Sequence, residues 1–244
     1  MTLQFDKIAR APAYQKIARA IEEKIVGGAL QPGDALPAET ALADQFGVNR
    51  ATVREGLRQL EMAGLIARTP GQKPFSVARP DPGKIAAGVS RALKLNEVTF
   101  AEVWEAMMEV EPVSARLAAE RIDAERLAEL DALIAGLRTE GTDYDASVDQ
   151  VVAFFGLLAA ATQNRALEMV QAPLSELLRP SLMLVIGKVA QARGRIKKAQ
   201  REIYRALAEH NGEDADGWMR LHIRDFKRGY ELAGIALDTP IPLG

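Results

Sequence analysis

The chain has 244 residues, 48% hydrophobic and 26% charged, with a formal net charge of −2 and no cysteine. That length suggests one or two domains with a sizeable core, and the missing thiols exclude disulfides, thiolate catalysis and cysteine zinc sites. Charge is unevenly spread: residues 1–80 hold 11 basic and 8 acidic side chains, leaving 20 and 25 of the totals of 31 and 33 in the remainder. A mildly basic N-terminal part on an acidic body fits a nucleic-acid-binding module joined to something else. The first residues include Asp6 and lack an apolar run of signal-peptide length. No stretch approaches about 18 uninterrupted apolar residues, so no membrane span is expected. The expected compartment is the cytoplasm.

In chain order, residues 12–28 have the spacing of an amphipathic helix, with Tyr14, Ile17, Ile21 and Ile25 on one face and Gly27-Gly28 as its stop. Leu30 to Asp34 is a turn. Leu36-Pro37 opens a second helix at 38–45. Phe46-Gly47-Val48 turns the chain, and Asn49 is a suitable N-cap for a third helix running to Ala63. Val53, Leu57 and Leu60 form the inward side of that helix, while Arg50, Arg54 and Arg58, four apart, line another side. Residues 65–68 and 75–78 are short strands around a turn-forming tip, Thr69 to Pro74. Helix, Gly turn, helix and two-stranded wing together make a winged helix-turn-helix over residues 1–79. Arginine clamps guanine edges or phosphates bidentately, and a helix fits the major groove, so the implied partner is duplex DNA.

Residues 80–84 carry two prolines and a glycine and are expected to be a linker. Beyond them the pattern is helical, near 84–94, 99–121, 123–138, 146–162, 164–177, 179–192, 194–210 and 213–234. The expected fold is mostly α: the winged domain, then an all-α antiparallel bundle over 85–235 and a tail at 236–244. There is no Gly-rich phosphate loop, Gly-x-Ser-x-Gly motif or other catalytic constellation, so no enzyme is expected. Asp143, Asp145 and Asp149 read as a helix N-terminal acidic cluster rather than a metal loop. Arg193, Arg195, Lys197, Lys198 and Arg201 read as a solvated helix face.

The N-terminal pattern resembles the GntR family of bacterial transcription regulators. Its carriers are Pro32-Gly33-Asp34, Leu36-Pro37-Ala38-Glu39, Leu42-Ala43, Gly47 to Arg50, Thr52 to Glu55, Leu57-Arg58, Leu60 and Gly64-Leu65. The resemblance implies a homodimer on a pseudo-palindromic operator, with the wing tip near the minor groove. Carried over by position, Arg50 and Arg54 are the strongest DNA contacts, with Asn49, Ala51 and Thr52 at the helix start and Arg58 further along. Gly71 matches the wing-tip glycine, with Lys73 two residues on. Thr40 stands where many relatives have an arginine. Gly56 replaces a usual alanine, at a helix-interior cost of up to ~1 kcal/mol with no visible gain.

Residues after the linker resemble the all-helical effector domain of the FadR-type branch (an FCD-like domain). The carriers are Glu111-Pro112, Ala115 to Glu120, Phe154, Asn164, Ala206-Leu207, Ala215, Met219 and His222. The resemblance implies a six- to seven-helix bundle that encloses a small-molecule effector and supplies dimer contacts. Many relatives hold a divalent metal there on one Asp and three His beside an Arg. Here those positions fall at Val151, Phe155, Gln200 and His222, with Met107 for the arginine. With two histidines in all, a three-His site cannot form in one chain, so no metal cofactor is expected. The pocket positions Met107, Val151, Phe155, Gln200, Trp218 and His222 suit an apolar effector with one polar end. A metal-assisted organic-acid sensor, and a filled domain that binds nothing, stay open as alternatives. The expected function is a repressor whose operator binding responds to the effector.

Overall fold

The computed structural model describes residues 12–68, 74–79 and 81–242. The chain divides into two compact units, Met1–Asp81 and Pro82–Gly244.

In the first unit, helix α1 (Ala13–Val26) buries Ile17, Ala18 and Ile21. Helix α2 (Glu39–Phe46) stops at Gly47, whose φ of 64° is the left-handed turn that glycine adopts without penalty. Helix α3 (Arg50–Met62) follows at once and buries Val53, Gly56, Leu57 and Leu60. Strands β1 (Ile66–Arg68) and β2 (Phe75–Val77) pair antiparallel with Ile66 opposite Val77. The turn before α2 lies on the other edge of β2: Leu36 N–H donates to the Phe75 carbonyl at 2.7 Å and Val77 N–H to the Asp34 carbonyl at 2.9 Å. The wing is therefore hydrogen-bonded to the chain on both sides of the helix pair.

The structure supplies the reason for Gly56 that composition could not. A Cβ there would stand 2.9 Å from the Tyr14 carbonyl oxygen and 3.2 Å from Ile17 Cγ2. Helix α1 crosses α3 at this residue, and only a bare backbone admits it.

Among the described residues the second unit is a bundle of seven helices: α4 (Pro82–Leu95), α5 (Phe100–Arg121), α6 (Ala124–Gly136), α7 (Tyr144–Ala161), α8 (Arg165–Lys188), α9 (Ala192–Ala208) and α10 (Gly212–Ala233). Five of the seven starts are fixed by side-chain caps. Thr99 and Glu102 form a reciprocal capping box on α5, and Asp123, Asp143, Asn164 and Asn211 cap α6, α7, α8 and α10. Helices α5 and α10 lie antiparallel: the Trp104 indole N–H donates to the Ile223 carbonyl at 2.9 Å, and His210 Nδ1 meets the Ala119 carbonyl at 2.7 Å near their other ends. By length and composition α7 is apolar enough to cross a membrane. Here Val148, Val151, Phe154, Phe155 and Leu158 of that helix are buried inside the bundle.

Four expectations are corrected. Pro82, Gly83 and Lys84, read as linker, open α4; proline suits a first turn, where no N–H is needed. The division expected beside Pro180, between helices at 164–177 and 179–192, does not occur, because α8 runs unbroken through Pro173 and Pro180. Each proline forfeits one backbone bond, but Leu174, Leu177, Leu178, Leu182, Val185 and Ile186 hold the helix in the core. The basic cluster is not a free solvated face. Arg193 donates to the Glu140 and Gly141 carbonyls, Lys197 to the Ala135 and Leu137 carbonyls, and Arg195 and Arg201 pair with Asp225 and Asp131. Those cations clamp α9 to α6, α10 and the turn before α7. Finally, the segment after α10 packs on the bundle: Ile241 is buried and its N–H donates to the Val98 carbonyl at 2.9 Å.

Candidate functional site

The start of α3 is set by its cap. Asn49 Oδ1 accepts from the Thr52 backbone N–H at 2.8 Å and the Thr52 hydroxyl at 2.9 Å. With Val53, Leu57 and Leu60 buried, helical geometry leaves Arg50, Ala51, Arg54 and Arg58 exposed. Arg58 stands 4.0 Å from Glu55, one turn away, a loose exposed pair. Arg54 is held differently. Its Nη2 and Nε reach Glu39 Oε2 at 3.1 and 3.3 Å. Arg68 of β1 approaches the other oxygen of Glu39 at 3.5 Å and lies over the Phe75 ring at 4.2 Å. One carboxylate at the head of α2 thus ties α3 to the wing. A cleft of about 570 Å³ opens there between Arg50, Glu39, Thr40, Arg68, Pro74 and Phe75. Thr40 is exposed on the same first turn as Glu39. Gly71 and Lys73 lie outside the described residues.

This arrangement presents a row of guanidinium groups and a capped helix N-terminus to solvent. A major groove accepts such a helix, arginines meet base edges or phosphates, and the helix end favours a phosphate. Glu39 and Arg68 were missed in the sequence. The signal is available in part: Glu39 stands at a family position, but nothing in the sequence places it against Arg54, 15 residues on.

The interior of the bundle is a different environment. Met107, Val151, Phe155, Gln200 and His222 are all buried, on α5, α7, α9 and α10. Trp218 is not inside with them. It is half-buried beside a groove of about 250 Å³ that Arg195, Lys198, Leu221 and the edge of His222 also line. The His222 ring stacks on Phe155 with centroids 5.8 Å apart, tilts against Phe226 at 4.7 Å and meets Phe154 edge-on at 6.5 Å. Burial pushes its pKa down to about 3, so the imidazole is neutral.

The metal of the acid-sensing relatives does not fit this interior. Of its ligand positions only His222 supplies an imidazole, and that ring lies among three phenylalanines. Among the described residues no three His, Asp or Glu side chains converge.

Sequence reasoning saw Glu111, on α5, only as a family position and missed its setting. It is wholly buried, neither carboxyl oxygen meets a partner in good hydrogen-bond geometry, and burial pushes its pKa up to about 8, partly offset by the nearby Gln171 side chain. Among the described residues the other buried side-chain atoms without a partner are Ser114 Oγ, Gln200 Nε2 and His222 Nε2. All belong to this bundle, and each such atom ordinarily costs about 1–3 kcal/mol.

The bacterial regulatory proteins of the gntR family match residues 13–74, and the FCD domain matches residues 102–225. The chain belongs to the GntR family. An uncharacterized HTH-type transcriptional regulator of Mycobacterium tuberculosis, Rv0494, is 36% identical over 157 residues, 63% of each chain. The regulator LutR of Bacillus subtilis is 28% identical over 213 residues, covering 84% of this chain and 97% of that one. This GntR chain spans less than two thirds of the length of several curated regulators it matches. A Streptococcus agalactiae GntR structure superposes with a TM-score of 0.64 at 23% identity, covering 88% of this chain and 99% of that one, a likeness of fold.

Proposed function

We propose that this GntR protein is a sequence-specific DNA-binding transcription regulator, acting as a cytoplasmic homodimeric repressor on a pseudo-palindromic operator. The observation that carries this reading is the exposed start of α3, where Arg50, Ala51 and Arg54 face solvent on a helix capped by Asn49. Two such helices, one per protomer, address half-sites about one helical turn apart. A small-molecule effector in the FCD bundle, held without metal, shifts the population between arrangements that do and do not match that spacing. Gln200 and His222 meet its polar end, and Met107, Val151 and Phe155 its apolar body.

The test begins by selecting tight-binding duplexes from a random pool with the full chain. Arg54→Ala should weaken binding to the selected duplex by ~1–3 kcal/mol if the side chain reads a base bidentately. Wild-type affinity in that variant removes Arg54 from the reading. Binding should also fall steeply with salt; a flat salt dependence contradicts phosphate contacts altogether.

A further inference from the structure

We infer that the interior beside Glu111 is a binding site for a compact organic amine in its ammonium form. The inference rests on the effector reading above, narrows it to one chemical class, and places the charged head at Glu111 instead of at Gln200 and His222.

Glu111 and Ser114 are one turn apart on α5, so both buried side chains share a face of that helix. Both carboxyl oxygens of Glu111 and the Ser114 hydroxyl lack a protein partner. Pro112 lies between them and has no N–H, so the Met108 carbonyl one turn back loses its helical donor. Acceptors are thus gathered on one stretch of α5. The neutral donors of this interior do not neutralise an acid: Gln171 on α8 gives its amide to Ser175 Oγ at 2.5 Å and also lies near enough to Glu111 to lower its pKa in part, and Gln200 on α9 and His222 on α10 each keep an unused Nε2. Among the described residues no cation acts on Glu111, and the one buried imidazole, His222, is held neutral among phenylalanines.

An ammonium group supplies what this surface lacks, three donors and a positive charge on one compact atom. A ligand carboxylate supplies neither, and would set a second acid against Glu111. An alcohol has one donor and no charge. The apolar residues Met107 and Val151 in the same core suit the carbon body of such an amine. The bundle is therefore built to receive a cation, opposite in sign to an organic acid.

Three probes with one carbon skeleton test this on the full chain: isobutylammonium, isobutyrate and isobutanol. Isobutylammonium should bind and raise the melting temperature of the wild type. Glu111→Gln should weaken that binding by at least ~10-fold, since a charge-assisted pair is lost at constant shape. Should that variant fail to fold, the wild type gives a second readout. The carbonyl stretch of the protonated Glu111 carboxyl should disappear as isobutylammonium is added and persist with isobutanol. Three results overturn the inference: binding of isobutyrate or isobutanol as tight as the amine, amine binding indifferent to Glu111→Gln, or no binding of any probe, which would leave buried water as the partner. DNA affinity of the same samples separates this from the regulator reading. Amine binding without any change in DNA affinity upholds the site and removes its regulatory coupling. Intact DNA binding with no amine binding removes the site and leaves the regulator.

Discussion

The outer face of α3 and the inner face of α5 both carry ionisable side chains, and they announce themselves in opposite ways. On α3 the arginines stand in water, where charge is inexpensive, and their meaning lies in spacing along one exposed side. On α5 a single glutamic acid is buried where an unpaired charge is costly, and its meaning lies in the partners it lacks. Surface chemistry is written as a pattern of residues. Interior chemistry is written as an unmet requirement, which only the packed structure exposes.

The largest expected effect tests whether the interior does impose that requirement. Glu111 has a pKa near 8 when folded against 4.5 ordinarily, so between those values the folded chain holds a proton that the unfolded chain has released. Stability from this group therefore falls as pH rises from about 4.5 to about 8. His222 has a pKa near 3 when folded against 6.5, so the unfolded chain binds the extra proton and stability falls as pH drops from about 6.5 to about 3. The two slopes oppose one another between about 4.5 and 6.5, where stability should be greatest and nearly flat. Glu111→Gln should abolish the alkaline limb and add a few kcal/mol at pH 8. Urea midpoints measured across pH decide it, and an alkaline limb that survives in the variant would place its cause elsewhere.

A smaller effect probes the scaffold beneath the surface pattern. Gly56→Ala improves helix propensity by about 1 kcal/mol, yet its methyl would meet the Tyr14 carbonyl oxygen at 2.9 Å. Overpacking of that kind costs about 1–3 kcal/mol. A net loss is expected in the melting of the N-terminal unit. A stabilised variant would show that α1 gives way freely and that the glycine is incidental.

The same contrast explains what could be read in the sequence. Apolar periodicity, Gly47, Asn49 and the wing fixed the order of elements in the first unit, because each is a local rule. The bundle was legible as helices, and Asp123, Asp143, Asn164 and Asn211 all cap where breaks were expected. Pro180 misled because a local rule yielded to burial of the helix around it. Trp218 misled because helical spacing does not say which side of α10 faces inward. The roles of Glu39 and Glu111, both visible only as family positions, went unread for one reason: each is defined by residues far away in sequence. Arg54 and Arg68 give Glu39 its place, and the absence of a partner gives Glu111 its own.

The smallest effect concerns Glu39, the one place where the surface borrows the logic of the interior. Its carboxylate is only 20% exposed and faces two arginines, while Arg54 keeps 57% of its side chain in solvent. Such a pair contributes ~0.2–1 kcal/mol to stability, so Glu39→Gln should barely move the melting temperature. Its effect should fall on recognition. With the carboxylate present, Arg54 is braced between α2 and the wing, and a phosphate must compete with Glu39 for it. Without it, both arginines are free to take any backbone phosphate. Affinity for random duplex should rise a few-fold and its salt dependence should steepen by about one phosphate contact. Affinity for the selected duplex should change less, so discrimination falls. Equal gains on both duplexes would mean that Glu39 only repels DNA, and that α3 alone aims Arg54.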